Sequence, residues 1–191
     1  MTIYSIKNDG YEYQELCLPI TALMDAAPDS VPSRDVMKFH ARNLAMRSWW
    51  KPLNVNFAPV QDKPDAPLPD VCVWRGSTLV LSEKAYQVLS SILEPFGELL
   101  PVTQNSENYY LFNCLTLGLA DELNSEQDIQ SGVYMGVKRL AFNTVDVEGK
   151  SVFKTKFNRC MSLFCDDALP TLVEEHHLKG LIFSTDLASE F

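Results

Sequence analysis

The sequence predicts an α+β fold: a mainly antiparallel sheet packed by a few helices, in a single domain with an N-terminal attachment. Several short segments are rich in β-branched or aromatic residues, as strands are. One segment has clear helical periodicity behind a capping serine. A proline-rich stretch follows the first quarter of the chain. We therefore predict an N-terminal attachment or subdomain over residues 1–65 and a main α+β domain over residues 66–191.

Three helices are predicted. The clearest begins after Ser82, ends at Pro95 and Gly97, and places apolar residues at helical spacing: Ala85, Val88, Leu89, Ile92, Leu93 and Phe96. A second helix is predicted over residues 33–50, with Ser33 or Asp35 as its cap. A third follows Asp166 and Asp167, and Gly180 forms its exit turn.

The predicted strands are short. VCVW (71–74) and TLVL (78–81) flank a turn and predict a hairpin. Further strands are predicted at ELLPV, YYLFNCLTL, KRLAF, SVFKTKF, MSLF and LIF. In YYLFN both alternating sets are apolar or aromatic, so we expect this strand to be buried on both faces. Five prolines between Pro52 and Pro69 predict an extended loop or linker.

Composition limits the classes of protein and of partner. The apolar share of 46% and the charged share of 21% are those of a globular chain. No leader pattern opens the sequence and no apolar run is long enough for a membrane span, so we expect a cytoplasmic protein with no membrane partner. The five cysteines are scattered, which favours reduced, buried thiols. A net charge of -9 opposes binding to phosphate backbones, so no nucleic-acid partner is expected.

The negative charge is concentrated in one part of the chain. Residues 67–191 carry 17 acidic and 9 basic residues, and no Lys or Arg lies between Lys84 and Lys138. Such a stretch is either a set of solvated carboxylates that keep the chain soluble or a surface that steers a basic protein partner. The candidate partner-binding residues are Glu94, Glu98, Glu107, Asp121, Glu122, Glu126 and Asp128.

No catalytic, metal or cofactor site is predicted. Cys160 and Cys165, with His176 and His177 downstream, suggest a metal site, but adjacent histidines do not share a helix face. Cys165, a histidine and Asp166 are the residue types of a catalytic triad with a cysteine nucleophile. Any chain with several Cys, His and Asp residues contains such a combination, so it does not indicate an active site by itself. No segment has the Lys-Ser/Thr of a phosphate-binding loop. We therefore expect a protein that is not an enzyme.

The order of several motifs adds a family resemblance. Asp70 and Trp74 precede LVLSEKAYQVL, and then come GELLPV, NYYLFNCL, Asp121 with Ser125, a VFK strand, MSLFCDDAL and LKGLIF. Over roughly residues 70–184 this order resembles a family of bacterial immunity proteins from polymorphic toxin and contact-dependent, type VI-associated competition systems. Residues 1–65 lie outside the resemblance and could help to select the toxin.

The resemblance implies a toxin inhibitor. Such a protein would bind a cognate toxin that acts in the cytoplasm and would neutralise it by covering its active surface. A nuclease would suit an acidic inhibitor, because its substrate-binding surface is basic. The family pattern supplies no catalytic residue. Two other functions stay open: an adaptor or chaperone for a secreted effector, and a small hydrolase that uses Cys165 or the pair His176 and His177.

Overall fold

The structure is a computed structural model that describes residues 1–10, 12–60 and 63–189. The described residues form six helices, with bounds α1 (Ile20–Ala26), α2 (Ser33–Met37), α3 (Phe39–Arg42), α4 (Glu83–Leu93), α5 (Thr144–Val147) and α6 (Ala168–Glu175). They also form the strands β1 (Tyr4–Asn8), β2 (Glu15–Cys17), β3 (Leu53–Asn54), β4 (Asn56–Ala58), β5 (Val71–Trp74), β6 (Thr78–Ser82), β7 (Gly97–Gln104), β8 (Glu107–Cys114), β9 (Glu126–Gln130), β10 (Val133–Arg139), β11 (Val152–Phe153), β12 (Leu163–Cys165) and β13 (Leu181–Ser184).

Most of the strands belong to two sheets. The larger sheet has five strands in the order β3-β7-β8-β6-β5, and every pair in it is antiparallel except β3 with β7. The smaller sheet has four antiparallel strands in the order β11-β12-β1-β13. Two separate pairs, β9–β10 and β2–β4, complete the set. The α+β class with mainly antiparallel sheets is confirmed.

Three hydrophobic cores lie on the faces of these sheets. The first joins the two sheets with α4 and α6, and includes Leu79, Phe112 and Leu163. In the second core, residues from the N-terminal third of the chain, among them Phe39, cover the opposite face of the five-stranded sheet, to which Leu111 belongs. The third core is built around three phenylalanine rings and draws all its buried residues from the segment 140–164. They are Leu140, Phe142, Val147, Phe153 and Phe164. The five-stranded sheet is therefore covered on both faces.

Several predicted elements are confirmed. The Ser82 Oγ accepts a hydrogen bond from the Ala85 amide at 3.3 Å, so Ser82 caps α4. The hairpin β5–β6 forms at VCVW and TLVL, and β8 is buried on both faces from Leu111 to Cys114. The helix α6 and the last strand β13 also form.

The predicted helix over residues 33–50 is wrong. It is replaced by the short helices α2 and α3, which end at Met37 and at Arg42. Asn43 takes a left-handed conformation with φ of 53°, and its side-chain amide donates to the Leu115 carbonyl at 2.7 Å. The next backbone groups bond to the sheet as well, because the Leu44 carbonyl accepts from Asn113 at 2.9 Å. These long-range hydrogen bonds override the helical periodicity of the sequence.

The segment predicted as an attachment contributes to the main sheets and cores. No strand is predicted from the sequence at β1, yet β1 lies between β12 and β13. Ile6 is buried in the first core, and Phe39 in the second. Both cores therefore extend across residue 65. Within the proline-rich stretch the short strands β3 and β4 form, while residues 61 and 62 lie outside the described residues.

No helix in the described ranges is both long enough and apolar enough to cross a membrane.

Candidate functional site

A long irregular hairpin extends from the third core. Its outer part is the pair β9–β10, joined by a turn at Ser131 and Gly132. Its inner part continues the pairing, since the Asp121 amide donates to the Ala141 carbonyl at 2.9 Å and the Asn143 amide donates to the Leu119 carbonyl at 3.0 Å. We call residues 117–147 the arm.

The arm is fixed to the body of the protein through one loop and the third core. The Gln127 side-chain amide donates to the Phe157 carbonyl at 2.6 Å. The Arg159 guanidinium lies 4.0 Å from the centre of the Tyr134 ring, which is a cation–π geometry. On the inner part, Phe142 packs edge-on against Phe153 and Phe164. The arm is thus a built part of the fold and not a loose loop.

Exposed apolar side chains are concentrated on the arm. Six of the eleven large apolar side chains that are exposed in the described residues belong to it, and they are Leu119, Leu123, Ile129, Val133, Met135 and Val145. Leu123 is 92% exposed and Val145 is 81% exposed. Single exposed apolar residues are normal on a protein surface, whereas contiguous apolar patches are where proteins bind other macromolecules.

Four of the seven carboxylates predicted as partner-binding residues lie on the arm. Glu126 and Asp128 face the ammonium group of Lys138 at 3.1 and 4.0 Å, so their charge is partly balanced within the hairpin. Asp121 accepts hydrogen bonds inside its own turn, and the bond from the Asn124 side chain is the main cause of its lowered pKa. Glu122 is exposed and makes no hydrogen bond or ion pair with any residue in the described ranges. It is therefore the arm carboxylate most available to a partner.

The other three predicted residues lie elsewhere. Glu94 is exposed at the end of α4, and Glu107 is exposed at the turn between β7 and β8. That turn is about 24 Å along the hairpin from Cys114, the β8 end that leads into the arm. Glu107 therefore lies at the opposite end of β8 from the segment that leads into the arm.

Glu98 is not a surface residue. It is buried in β7, where its carboxylate accepts hydrogen bonds from the Met46 amide at 2.8 Å, the Arg47 amide at 3.0 Å and the Asn113 side chain at 3.1 Å. These donors belong to the segment after α3 and to β8. Glu98 joins that segment to the sheet, so its prediction as a partner-binding residue is corrected to a structural role.

The cysteine and histidine groups considered from the sequence do not form a reactive centre in the described residues. Cys165 is fully buried in β12, and burial raises its pKa, with smaller effects from Asp166 and Asp167. A thiol with a raised pKa is the opposite of an activated nucleophile. His176 and His177 are exposed at the end of α6. No group of three or more His, Cys, Asp or Glu residues in the described ranges has metal-binding geometry.

A polar cluster inside the protein has no counterpart in the sequence predictions. Lys154 is fully buried next to β11, and its ammonium group donates to the His40 carbonyl at 2.8 Å. Burial lowers the pKa of Lys154. The Nδ1 atom of the nearly buried His40 has no partner, and burial, with a smaller effect of the Arg75 charge, lowers the pKa of His40 to about 4. Lys154 lies in the predicted strand SVFKTKF, where a lysine is expected on the face that points to solvent. The sequence therefore gives no indication that Lys154 is buried.

The neutral His40 should make stability depend on pH. Its pKa falls from 6.5 in the unfolded chain to about 4, so between these values the unfolded chain binds a proton that the folded chain does not. Stability is therefore full above pH 6.5 and falls on acidification through this window. From pH 7 to pH 5 we expect His40 to account for a loss of about 2 kcal/mol, measured by urea unfolding.

The matched comparison uses two variants. His40→Leu should remove that part of the pH dependence, whereas His176→Gln, at an exposed histidine, should keep it. An unchanged difference between pH 7 and pH 5 in His40→Leu would show that other groups cause the acid sensitivity.

Comparison with known proteins adds no relative. No protein-family model matches the chain, and no curated protein matches it. The immunity-protein family that the motif order resembles therefore stays a prediction. The functional proposal below is therefore based on the exposed apolar side chains of the arm.

Proposed function

We propose that this chain is an immunity protein that binds a cognate bacterial toxin and neutralises it by covering the toxin's active surface. The order of its motifs resembles that family, and the exposed apolar side chains of the arm support a protein partner. The observation that carries the proposal is the concentration of exposed apolar side chains on the arm. Interfaces of this kind combine apolar contact at the centre with charged groups around it.

Charge supports a basic partner. The whole chain has a net charge of -9, and the arm itself carries five acidic and two basic residues. A negative surface speeds the encounter with a positively charged protein and suppresses binding to negatively charged ones. A toxin that binds nucleic acid has such a positive surface, which an acidic inhibitor can occupy in place of the substrate.

The function is tested in cells. The proposal predicts that the gene beside that of this chain encodes a toxin domain, and this domain is the probe, expressed inside a bacterial host with and without the chain. A neighbouring gene that encodes no toxin would contradict the proposal. We expect the chain to restore growth and to bind the purified toxin domain directly. Growth arrest that the full chain does not relieve would contradict the proposal. A chaperone would alter only the export or folding of the effector, so protection from a toxin made inside the cell separates the two functions.

Charge reversal on the arm should slow association. Glu122→Lys replaces an exposed carboxylate that has no internal partner, so we expect a decrease in the association rate constant of about threefold to tenfold at low salt. The decrease should shrink as ionic strength rises, because salt screens charges on exposed groups. Stopped-flow measurements with the same toxin domain at two salt concentrations give both values.

The control for this variant is Glu107→Lys. It makes the same change of charge at an exposed carboxylate in the β7–β8 turn, away from the arm. Equal effects of the two reversals would mean that only total charge matters and that the arm does not face the partner.

A further inference from the structure

We infer that Leu123 is the apolar anchor of the partner interface and that the partner receives it in an apolar pocket bordered by Lys or Arg side chains. This inference rests on the proposed function and deepens it, because it names the contact residue and the chemistry of the surface that binds it. It also gives Asp121 a different task from the one predicted. Asp121 is a positioning residue that holds the turn, and Leu123 makes the contact.

The turn that carries Leu123 is held by its own hydrogen bonds. The Asp121 carboxylate accepts from the Leu123 amide at 3.1 Å and from the Asn124 side chain at 2.7 Å. The Asn124 carbonyl in turn accepts from the Arg139 guanidinium at 3.0 Å. The turn is therefore tied to both strands of the arm. A contact residue on such a turn loses little conformational entropy on binding, which leaves more of the contact energy for affinity.

Leu123 is the most exposed large apolar side chain in the described residues, at 92%. Neighbouring backbone of the arm carries two further exposed apolar residues. The Leu119 amide donates to the Asp146 carboxylate at 2.8 Å, which ties Leu119 to the turn of α5 where Val145 lies. Burying a leucine of this exposure against a partner removes its full apolar surface from water. Among the exposed apolar residues of the arm, Leu123 therefore has the largest fraction of its side chain still available for burial by a partner.

The charge next to Leu123 selects among possible occupants. Glu122 is exposed beside it and makes no hydrogen bond or ion pair with the described residues, so a bound surface that covers this carboxylate must supply a positive charge or leave it unpaired. A second copy of this chain would bring a net charge of -9 toward another of -9 and would place like charges together. The charge therefore favours a basic protein partner over self-association.

The test measures binding of the full chain to the toxin domain used above. Leu123→Ala should increase the dissociation constant by about 30-fold, which is the effect expected when the central contact residue of an interface is truncated. Leu68→Ala, at the exposed leucine outside the arm, should stay within about threefold. Thermal unfolding should be unchanged in Leu123→Ala, because the side chain is exposed in the free protein.

The role of Asp121 has its own measurement. Asp121→Ala removes the side-chain acceptors of the turn and should weaken binding by about tenfold. Asp121→Asn keeps one oxygen for the two backbone amides and should recover part of that loss. If Asp121 positions the turn, Asp121→Asn should bind better than Asp121→Ala. If its carboxylate instead pairs with a charge on the partner, Asp121→Asn should bind as weakly as Asp121→Ala, because both variants lack the charge.

The outcomes separate the two proposals. If the chain neutralises the toxin while Leu123→Ala binds within about threefold of it, the anchor is overturned and the proposed function stands. If the unaltered chain neither binds the toxin domain nor protects cells, both are overturned. If sedimentation shows a dimer of the free chain that Leu123→Glu disrupts, the occupant is a second copy and the inference of a basic partner is wrong.

Discussion

Glu98→Ala is expected to destabilise the protein by about 4 kcal/mol, the largest effect of any exchange among the acidic residues between Lys84 and Lys138. Alanine would leave the amides of Met46 and Arg47 without their acceptor and the Asn113 side chain with only the Leu44 carbonyl. Each buried donor that loses its partner costs about 1 to 3 kcal/mol. Urea unfolding of the purified variant measures the change in the free energy of unfolding.

Glu94→Ala is the matched control for Glu98→Ala. Glu94 lies four residues earlier and is exposed, and its side chain makes no hydrogen bond with the described residues, so its replacement should change stability by less than about 0.5 kcal/mol. A small effect at both positions would show that the segment after α3 is not held by Glu98. The comparison also matters for the binding experiments, because a Glu98 variant would lose affinity through unfolding and not through the loss of a contact with the partner.

Gly76→Ala is expected to cost about 4 kcal/mol, through strain and overlap together. Gly76 has a φ of 74°, and a Cβ there would overlap the carbonyl oxygen of Met161. Backbone atoms cannot move aside as a flexible side chain can, so the loop at Met161 would have to shift. Thermal or urea unfolding measures the loss.

Gly132→Ala separates the two causes. Gly132 has a nearly equal φ of 78°, but no atom lies within 4 Å of the position that its Cβ would take. This variant should therefore show the backbone strain alone, about 1 kcal/mol. If Gly76→Ala costs no more than Gly132→Ala, the contact between the two loops is looser than the structure describes.

The Gly76 contact also bears on the arm. Met161 follows the loop whose Phe157 carbonyl and Arg159 guanidinium hold Gln127 and Tyr134 of the arm. A displaced loop should loosen the arm without touching its exposed surface. Gly76→Ala is therefore expected to weaken toxin binding as well as stability, whereas a surface variant such as Glu122→Lys should affect binding alone.

Local patterns were sufficient for the elements whose contacts lie close in the chain. The periodicity and serine cap of α4 and the hairpin β5–β6 depend on neighbours a few residues away, and both form as predicted. The helix expected over residues 33–50 fails for the opposite reason. Its break at Asn43 depends on hydrogen bonds to Leu115 and Glu98, which are more than 50 residues away. No local pattern reports such partners.

The acidic stretch shows the same limit for the candidate site. Its carboxylates can be counted from the sequence, but their environments cannot be predicted from it: Glu98 is buried, Asp121 accepts hydrogen bonds within a turn, and Glu122 is exposed. Leu123 carries no signal in DELNSE, because a leucine between polar residues is equally consistent with a buried position. Only the packing of the arm leaves it outside the core.

Composition and local periodicity were therefore enough to predict the α+β class, the acidity, and the short-range elements of this protein. Tertiary packing decided that β1 lies inside a sheet, that Lys154 and Glu98 are buried, and that the arm presents Leu123 to solvent. The physical reason is the range of the interactions. Propensity and capping act within a few residues, whereas burial and strand pairing join residues far apart in the chain, and those decide which side chains a partner can reach.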